Sequence, residues 1–253
     1  MPTRTTPSTP SSKEKHVFEP FEDLLRSVSS SHTGEWGAIE EEFLRVVEAF
    51  DAEYANGRRS KGWYQSKARY FNDIIVLLIG NRSRRRVASR CKRASQLFDM
   101  IDIDICFPSE GTPLIAAEVK ALGTPPHPGN KESARPAKSD LHKRIREVAF
   151  TAMDLKAAYA EPSTIASLQE WVDKTSPGYF SFWAIRADND ADLESVRSTL
   201  TSLRAYCNGV GAVFYQPSAG APTSYRLRPQ RELSIDRCIR EIAQRLTNDS
   251  TPS

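Results

Sequence analysis

The sequence predicts an α/β fold in which a central mixed β-sheet is flanked by helices, and three observations carry that prediction. Apolar residues recur at helical spacing over 35–78, at strict alternation over 98–107, and at helical spacing again over 139–159. A turn marked by Pro108, Gly111 and Pro113 joins the alternating segment to a second strand-like segment, Leu114 to Leu122. Beyond it the order runs helix, strand, helix, strand, which implies one α/β domain.

The elements follow in chain order. Residues 1–15, rich in Pro, Ser and Thr, carry too little apolar area to offset chain entropy and are expected to be a disordered tail, as are residues 248–253. Glu35 to Tyr54 sets Trp36, Ile39, Phe43, Val46, Val47 and Phe50 at helical spacing, and Asn56 and Gly57 stop that helix. A second helix is predicted from Gly62 to Leu78, with Tyr64, Ala68, Phe71, Ile75 and Leu78 on its apolar stripe, Lys61, Lys67 and Arg69 outside it, and Gly80 and Asn81 at its end. In 98–107 Ile101, Ile103, Ile105 and Phe107 alternate with Asp102, Asp104 and Cys106, a strand with one apolar face. After a Pro-rich loop, Ser139 or Asp140 caps a helix carrying Leu141, Ile145, Val148, Ala152, Leu155 and Tyr159. Tyr179–Ile185, Gly211–Tyr215 and Ser224–Leu227 read as strands; 190–206 and 233–246 read as helices.

Composition narrows the classes. With 253 residues, 39% hydrophobic and 26% charged, the chain can build one full core or two small ones, which excludes collagen-like and wholly disordered chains. The longest apolar run, Ile74–Ile79, is far short of the ~20 residues of a membrane span, and no secretory signal is visible, so a cytoplasmic protein without membrane contact is expected. Cys91, Cys106, Cys207 and Cys238 form no CxxC pair, and His16, His32, His127 and His142 show no zinc spacing. All four cysteines are expected to be free thiols packed as small hydrophobes.

The net charge of +3 is uninformative, but its distribution is not. From Arg58 to Arg93 twelve cations face one acid, Asp73, and the stretch from Arg82 through Arg84, Arg85, Arg86, Arg90 and Lys92 to Arg93 holds no acid. Such an excess marks a surface that meets phosphates, and these residues, with Lys143 and Arg144 on the later helix, are the expected DNA contacts. Asp188, Asp190 and Asp192 imitate the start of a calcium loop but lack its Gly and distal Glu, and are assigned to helix capping. Glu40, Glu41 and Glu42 are read as a solvated acidic face, and His127 as an exposed loop residue.

The hairpin carries the chemistry. Glu118 and Lys120, two apart on one strand, share a face, as do Asp102 and Asp104 on its partner. A register that sets Asp104 opposite Glu118 leaves Pro108 to Leu114 as the connection and places Asp102 opposite Lys120. Two carboxylates so placed suit one hard cation: Mg²⁺ binds through one or two carboxylates and keeps several waters. The ion polarises phosphoryl oxygens, and an ammonium beside it orients the attacking water and offsets charge in the transition state.

Asp104 followed by Glu118-Val119-Lys120, with helices before and a basic-ended helix and another strand after, resembles the PD-(D/E)XK nuclease superfamily, which includes type II restriction endonucleases. The resemblance covers about residues 62–186 and implies a restriction-endonuclease-like core holding Mg²⁺, with Mn²⁺ as a substitute. No Pro precedes the first Asp, so Asp102 stands as reserve ligand to Asp104. The following helix offers Lys143, Arg144, Arg146 and Glu147 where exonuclease branches have Gln and Tyr. The expectation is one nuclease domain over 16–247, a helical lead-in over 16–80 and a catalytic core over 81–247. It would be a DNA endonuclease of restriction or DNA-defence type, acting as a homodimer, with Asp104, Glu118 and Lys120 as catalytic residues. A resolvase or repair nuclease, or an inactive DNA-binding relative on the same scaffold, are the alternatives.

Overall fold

The computed structural model of the chain describes residues 17–128, 134–159 and 167–248. The expected tails at 1–15 and 249–253 lie outside the described residues; Asn248 is the last residue of a helix. In chain order the elements are α1 (Glu19–Ser31), α2 (Glu40–Ala55), α3 (Lys61–Tyr64), α4 (Ser66–Ser83), β1 (Ala88–Arg93), β2 (Ile101–Phe107), β3 (Ile115–Leu122) and α5 (Lys138–Tyr159). They continue with α6 (Leu168–Lys174), β4 (Gly178–Arg186), α7 (Asp190–Ser202), β5 (Gly209–Ser218), β6 (Ala221–Arg228) and α8 (Ile235–Asn248).

The six strands form one mixed sheet in sequence order, β1 to β6. Antiparallel pairs at both ends (β1/β2, β2/β3, β5/β6) enclose the parallel pairs β3/β4 and β4/β5. The central strands are apolar on both sides, as parallel strands covered by helices must be: every residue of β4 is buried. Ile105, Ala117, Phe182 and Val213 join α1, α2, α4 and α8 in one core, while Ile103, Ala116, Trp183 and Phe214 join α5 and α7 in the other. Both α/β character and mixed sheet are as the sequence predicts. No helix among the described residues is long and apolar enough to cross a membrane.

Three local readings are corrected. Helix α1 was not expected, because its buried stripe is only Phe21, Leu24 and Val28 in a Ser-rich segment of low helix propensity. The expected helix over 62–78 is instead a single turn, α3, followed by α4, which passes Gly80 and Asn81 and ends at Arg84 in the left-handed region (φ 55). Asn81 does not break the helix because its side-chain amide ties α1 down, donating to the carbonyls of Val28 (3.0 Å) and Thr33 (2.8 Å). The basic run contains an edge strand, β1, one of the two conformations, strand or loop, that its sequence allows. Finally, Cys91 and Cys106 are not free thiols but a disulfide joining β1 to β2, whereas Cys207 and Cys238 are free and buried.

Lys67 also departs from the sequence reading, which put it outside the apolar stripe. It is 2% exposed, and its Nζ donates to both Asp51 carboxylate oxygens (3.1 and 3.4 Å), to the Tyr64 hydroxyl and to the Tyr215 hydroxyl (3.4 Å). Tyr225 Oη donates to the same Asp51 carboxylate at 2.6 Å. A stem of four methylenes lets a lysine within an apolar helix face reach a carboxylate buried on α2. Removing one partner of a buried pair strands the other charge, so Asp51→Ala should cost about 3–5 kcal/mol in chemical denaturation. Adding Lys67→Met to that variant should recover part of the loss; a double variant less stable than the single one would refute the pairing.

Candidate functional site

Antiparallel pairing of β2 with β3 runs Phe107–Ile115, Cys106–Ala116, Ile105–Ala117, the register in which Asp104 falls opposite Glu118. Backbone pairing between the strands ends at Ile105, and Asp104 turns its carboxylate across the gap to accept the Val119 N–H at 2.8 Å. The neighbouring ladder is interrupted at the same level: Arg90, the β1 residue opposite Asp104, has φ 59 and forms no ladder pair. Alternation along β2 breaks there, since Ile101 and Ile103 pack into the α5/α7 core but Ile105 and Phe107 into the other. A local distortion of this kind re-aims a side chain, and here the side chain is Asp104. Asp102 does not share its setting; it is exposed on the outer part of the hairpin, paired in the ladder with Lys92.

Glu118 lies in the middle of the sheet, flanked by β2 and by Ser181 of β4, and is 7% exposed. Lys120 Nζ donates to Glu118 Oε2 and lies 3.5 Å from Asp104 Oδ2, so one ammonium spans both carboxylates. Burial raises the Glu118 carboxyl to about 7, against the pull of Lys120 and with a further push from Asp104. For Lys120 burial works the other way, but the two carboxylates outweigh it and hold the ammonium above the ordinary lysine value. Tyr179 on β4 completes this setting: its buried hydroxyl makes no hydrogen bond among the described residues, and burial followed by the Glu118 charge pushes the phenol well up. No motif in the sequence announces Tyr179; only the parallel β3/β4 pairing brings it near.

Asp104 and Lys120 line a cleft of about 400 Å³, with Glu118 buried behind them. Its floor is Asp104 and the end of β3, one wall is α3 with the start of α4, and the other is the segment before α5 with α5 itself. Gly123 ends the floor with φ +83; a Cβ there would stand 2.3 Å from the Arg186 carbonyl oxygen, so only glycine lets the chain leave β3 this close to β4. Tyr64 Oη donates to the Gly123 carbonyl at 3.3 Å, which links the buried Lys67–Asp51 network to the cleft. Lys61, Arg135 and Arg144 line the walls. Lys61 belongs to the basic stretch read as a phosphate-meeting surface without being singled out as a DNA contact, and Arg135 was absent from that reading; its only signal was positive charge in a segment with no motif.

The predicted basic run is divided by the fold. Arg82, Arg84, Arg85 and Arg86 lie at the C-terminal end of α4 or just beyond, about 25 Å of helix from the cleft-lining residues Lys67 and Ala68. Arg82 lies 3.5 Å from Glu35. Arg90 faces Asp73 and Arg69 in a different cavity between α1, α4 and β1. Arg93 is buried, its guanidinium donating to the carbonyls of Lys92 (2.7 Å) and Pro108 (2.6 Å) and to Cys106 Sγ (3.1 Å), so it braces the hairpin turn. Lys92 is exposed at the cleft end of the edge strand. Lys143 is exposed 3.9 Å from Glu147, and Arg144 reaches the cleft with Glu147 at 2.7 Å.

The acidic candidates sort themselves the same way. Glu40 to Glu42 open α2, roughly 20 Å along that helix from its cleft end at Tyr54. Glu40 accepts the Trp36 indole N–H at 2.8 Å. Asn189 caps α7 by accepting from the Asp192 N–H, with Asp190 and Asp192 in its first turn. His127 packs on Tyr54 at 4.5 Å between ring centroids.

Among the described residues no group of three or more His, Cys, Asp and Glu side chains stands ready to hold a metal ion. The pair Asp104 and Glu118 nevertheless fits a hard divalent cation that retains its waters, since Asp104 lines an open cleft and Glu118 shares one ammonium with it. Glu118 in particular is a buried acid raised to about 7, which a cation would return to the charged form. No protein-family model, curated protein or solved structure matches this chain.

The raised Glu118 carboxyl fixes the sign of a pH effect. Between its ordinary value of 4.5 and about 7 the folded form holds a proton that the unfolded chain has lost, so metal-free stability falls as pH rises through this window and levels off above it. Glu118→Gln cannot lose that proton, and the difference in unfolding free energy between variant and wild type should grow by a few kcal/mol from pH 4.5 to 7.5. A constant difference across the range would exclude a raised Glu118.

Proposed function

We propose that this chain is a Mg²⁺-dependent DNA endonuclease that hydrolyses phosphodiester bonds, of restriction or DNA-defence type. The observation that carries the reading is the convergence of Asp104, Glu118 and Lys120 at the splayed end of a hairpin, with Asp104 and Lys120 at the floor of an open cleft that cations also line. Asp104 and Glu118 would hold the ion. When bound, Mg²⁺ supplies Lewis-acid polarisation of the phosphoryl oxygens and acidifies water. Lys120 would hold the attacking water by hydrogen bonding and offset negative charge on the phosphoryl oxygens in the transition state. The Asp104 hydrogen bond to Val119 N–H keeps one carboxylate in place before substrate arrives, so little reorganisation is left for the reaction itself. Two copies about a two-fold axis would cut both strands of a palindromic site.

One observation favours a second reading, a DNA-binding protein without catalysis. Lys120 already bridges both carboxylates, and with the raised Glu118 carboxyl protonated the trio is neutral with no cation present. Calorimetric titration with Mg²⁺ separates the two, because the binding module predicts no heat that Glu118→Gln abolishes.

The direct test is digestion of plasmid, linear duplex and single-stranded DNA with and without Mg²⁺ or Mn²⁺. Cleavage by the wild-type protein should require the ion. Lys120→Ala should reduce its rate at least about a thousandfold, or ~4 kcal/mol in the barrier, while the Mg²⁺ heat persists. Cleavage by Lys120→Ala within tenfold of wild type would falsify its role.

A further inference from the structure

We infer that the substrate's phosphate backbone is held by a two-walled cationic rim, Lys61 on one side of the cleft and Arg135 with Arg144 on the other, and not by the arginine run at the far end of α4. The inference rests on the nuclease reading and says where the polyanion runs. A scissile phosphate over Asp104 and Lys120 carries neighbouring phosphates in both directions along its strand, so a site that cuts within a chain needs cations on two sides. The cleft provides them from separate elements: Lys61 from α3, Arg144 from α5, and Arg135 from the segment that leads into α5.

Arg135 is held in place by backbone pairing. Thr124 N donates to the Arg135 carbonyl at 3.0 Å and Arg135 N to the Thr124 carbonyl at 3.1 Å, an isolated bridge that ties this segment to the turn leaving β3. The backbone that carries Arg135 is therefore fixed relative to Lys120, four residues before Thr124 on the same stretch of chain.

All three cations are available to a phosphate. Arg135 pairs with Asp140 at 2.7 Å and Arg144 with Glu147 at 2.7 Å, but side-chain exposures of 50% and 34% in the first pair and 41% and 39% in the second place both pairs in solvent. Exposed pairs of this kind are weak and screened, so a phosphate can replace the carboxylate. Lys61 is exposed and has no ion-pair partner among the described residues. Arg84, Arg85 and Arg86 are cationic too, but none of them lines the cleft; they precede β1, whose Arg90 stands opposite Asp104.

The test uses the Lys120→Ala protein in Ca²⁺ buffer, so that binding to a labelled mixed-sequence DNA duplex is read without cleavage. Adding Lys61→Ala and Arg135→Ala should weaken binding at least about tenfold near 0.1 M salt and lower the slope of log K against log salt by about two units, about 0.9 for each phosphate no longer neutralised. Arg135→Lys, which keeps the charge, should restore most of the slope. Replacing Arg84, Arg85 and Arg86 together with Ala should leave the slope unchanged within about 0.3. A slope that falls in the arginine triple and not in the Lys61/Arg135 variant overturns the rim while leaving Mg²⁺-dependent cleavage by the wild-type protein, and hence the nuclease reading, standing. Absence of both DNA binding and cleavage in the wild-type protein overturns both.

Discussion

A single hydrogen bond, from the Val119 N–H to the Asp104 carboxylate at 2.8 Å, marks the place where the hairpin stops being a ladder and becomes a site. A backbone N–H in the centre of a sheet must find an acceptor, and with β2 leaving β3 beyond Ile105 the strand carbonyl is replaced by a side chain. The substitution has two consequences. The strands part enough to open the cleft, and Asp104 is anchored within reach of the ammonium that also holds Glu118. Arg90 contributes from the other side by adopting a left-handed conformation at the same level, so both ladders flanking β2 give way at one point. Backbone irregularity is concentrated where the charged groups converge, and the remaining sheet supplies a rigid support.

The opposite wall depends on charges that never meet solvent. Lys67 and Asp51 are buried together with the hydroxyls of Tyr64, Tyr215 and Tyr225, and Arg186 extends the network by donating to Tyr225 Oη at 3.2 Å. Such a network is weak evidence for stability, because desolvation consumes most of the attraction. Its geometric effect is clearer. It joins α2, α4, β4, β5 and β6 around one carboxylate, and through Tyr64 it reaches the Gly123 carbonyl at the end of β3. The turn after Lys120 is thereby gripped from one side by Tyr64 and from the other by the Thr124–Arg135 bridge.

The electrostatics of the cleft differ from those of the sequence around it. At its floor, two carboxylates share one ammonium, and Glu118 sits near the middle of its titration at neutral pH because burial opposes its charge. On its walls the cations are exposed and loosely paired. A partly buried floor of two carboxylates and one ammonium thus lies beneath exposed cations.

Local pattern determined a good deal of this protein by itself. The switch of apolar period located the hairpin, the Pro and Gly residues set its connection, and alternation then put Asp104 level with Glu118 and Glu118 beside Lys120, because a strand's side chains repeat every two residues. The amphipathic stripes of α2, α5 and α8 were legible for the same kind of reason. What tertiary structure alone decided are the relations between segments far apart in the chain. Asp51 reached Lys67 only once α2 packed on α4, Cys91 met Cys106 only through an edge strand with no apolar pattern, and Tyr179 neared Glu118 only through a parallel pairing. Arg93 turned inward because a carbonyl and a sulfur awaited it, and Arg84, Arg85 and Arg86 fell outside the cleft lining. Periodicity reports which face of an element is apolar; it holds no information on which other element that face meets, and the long polar side chains take their partners from that meeting.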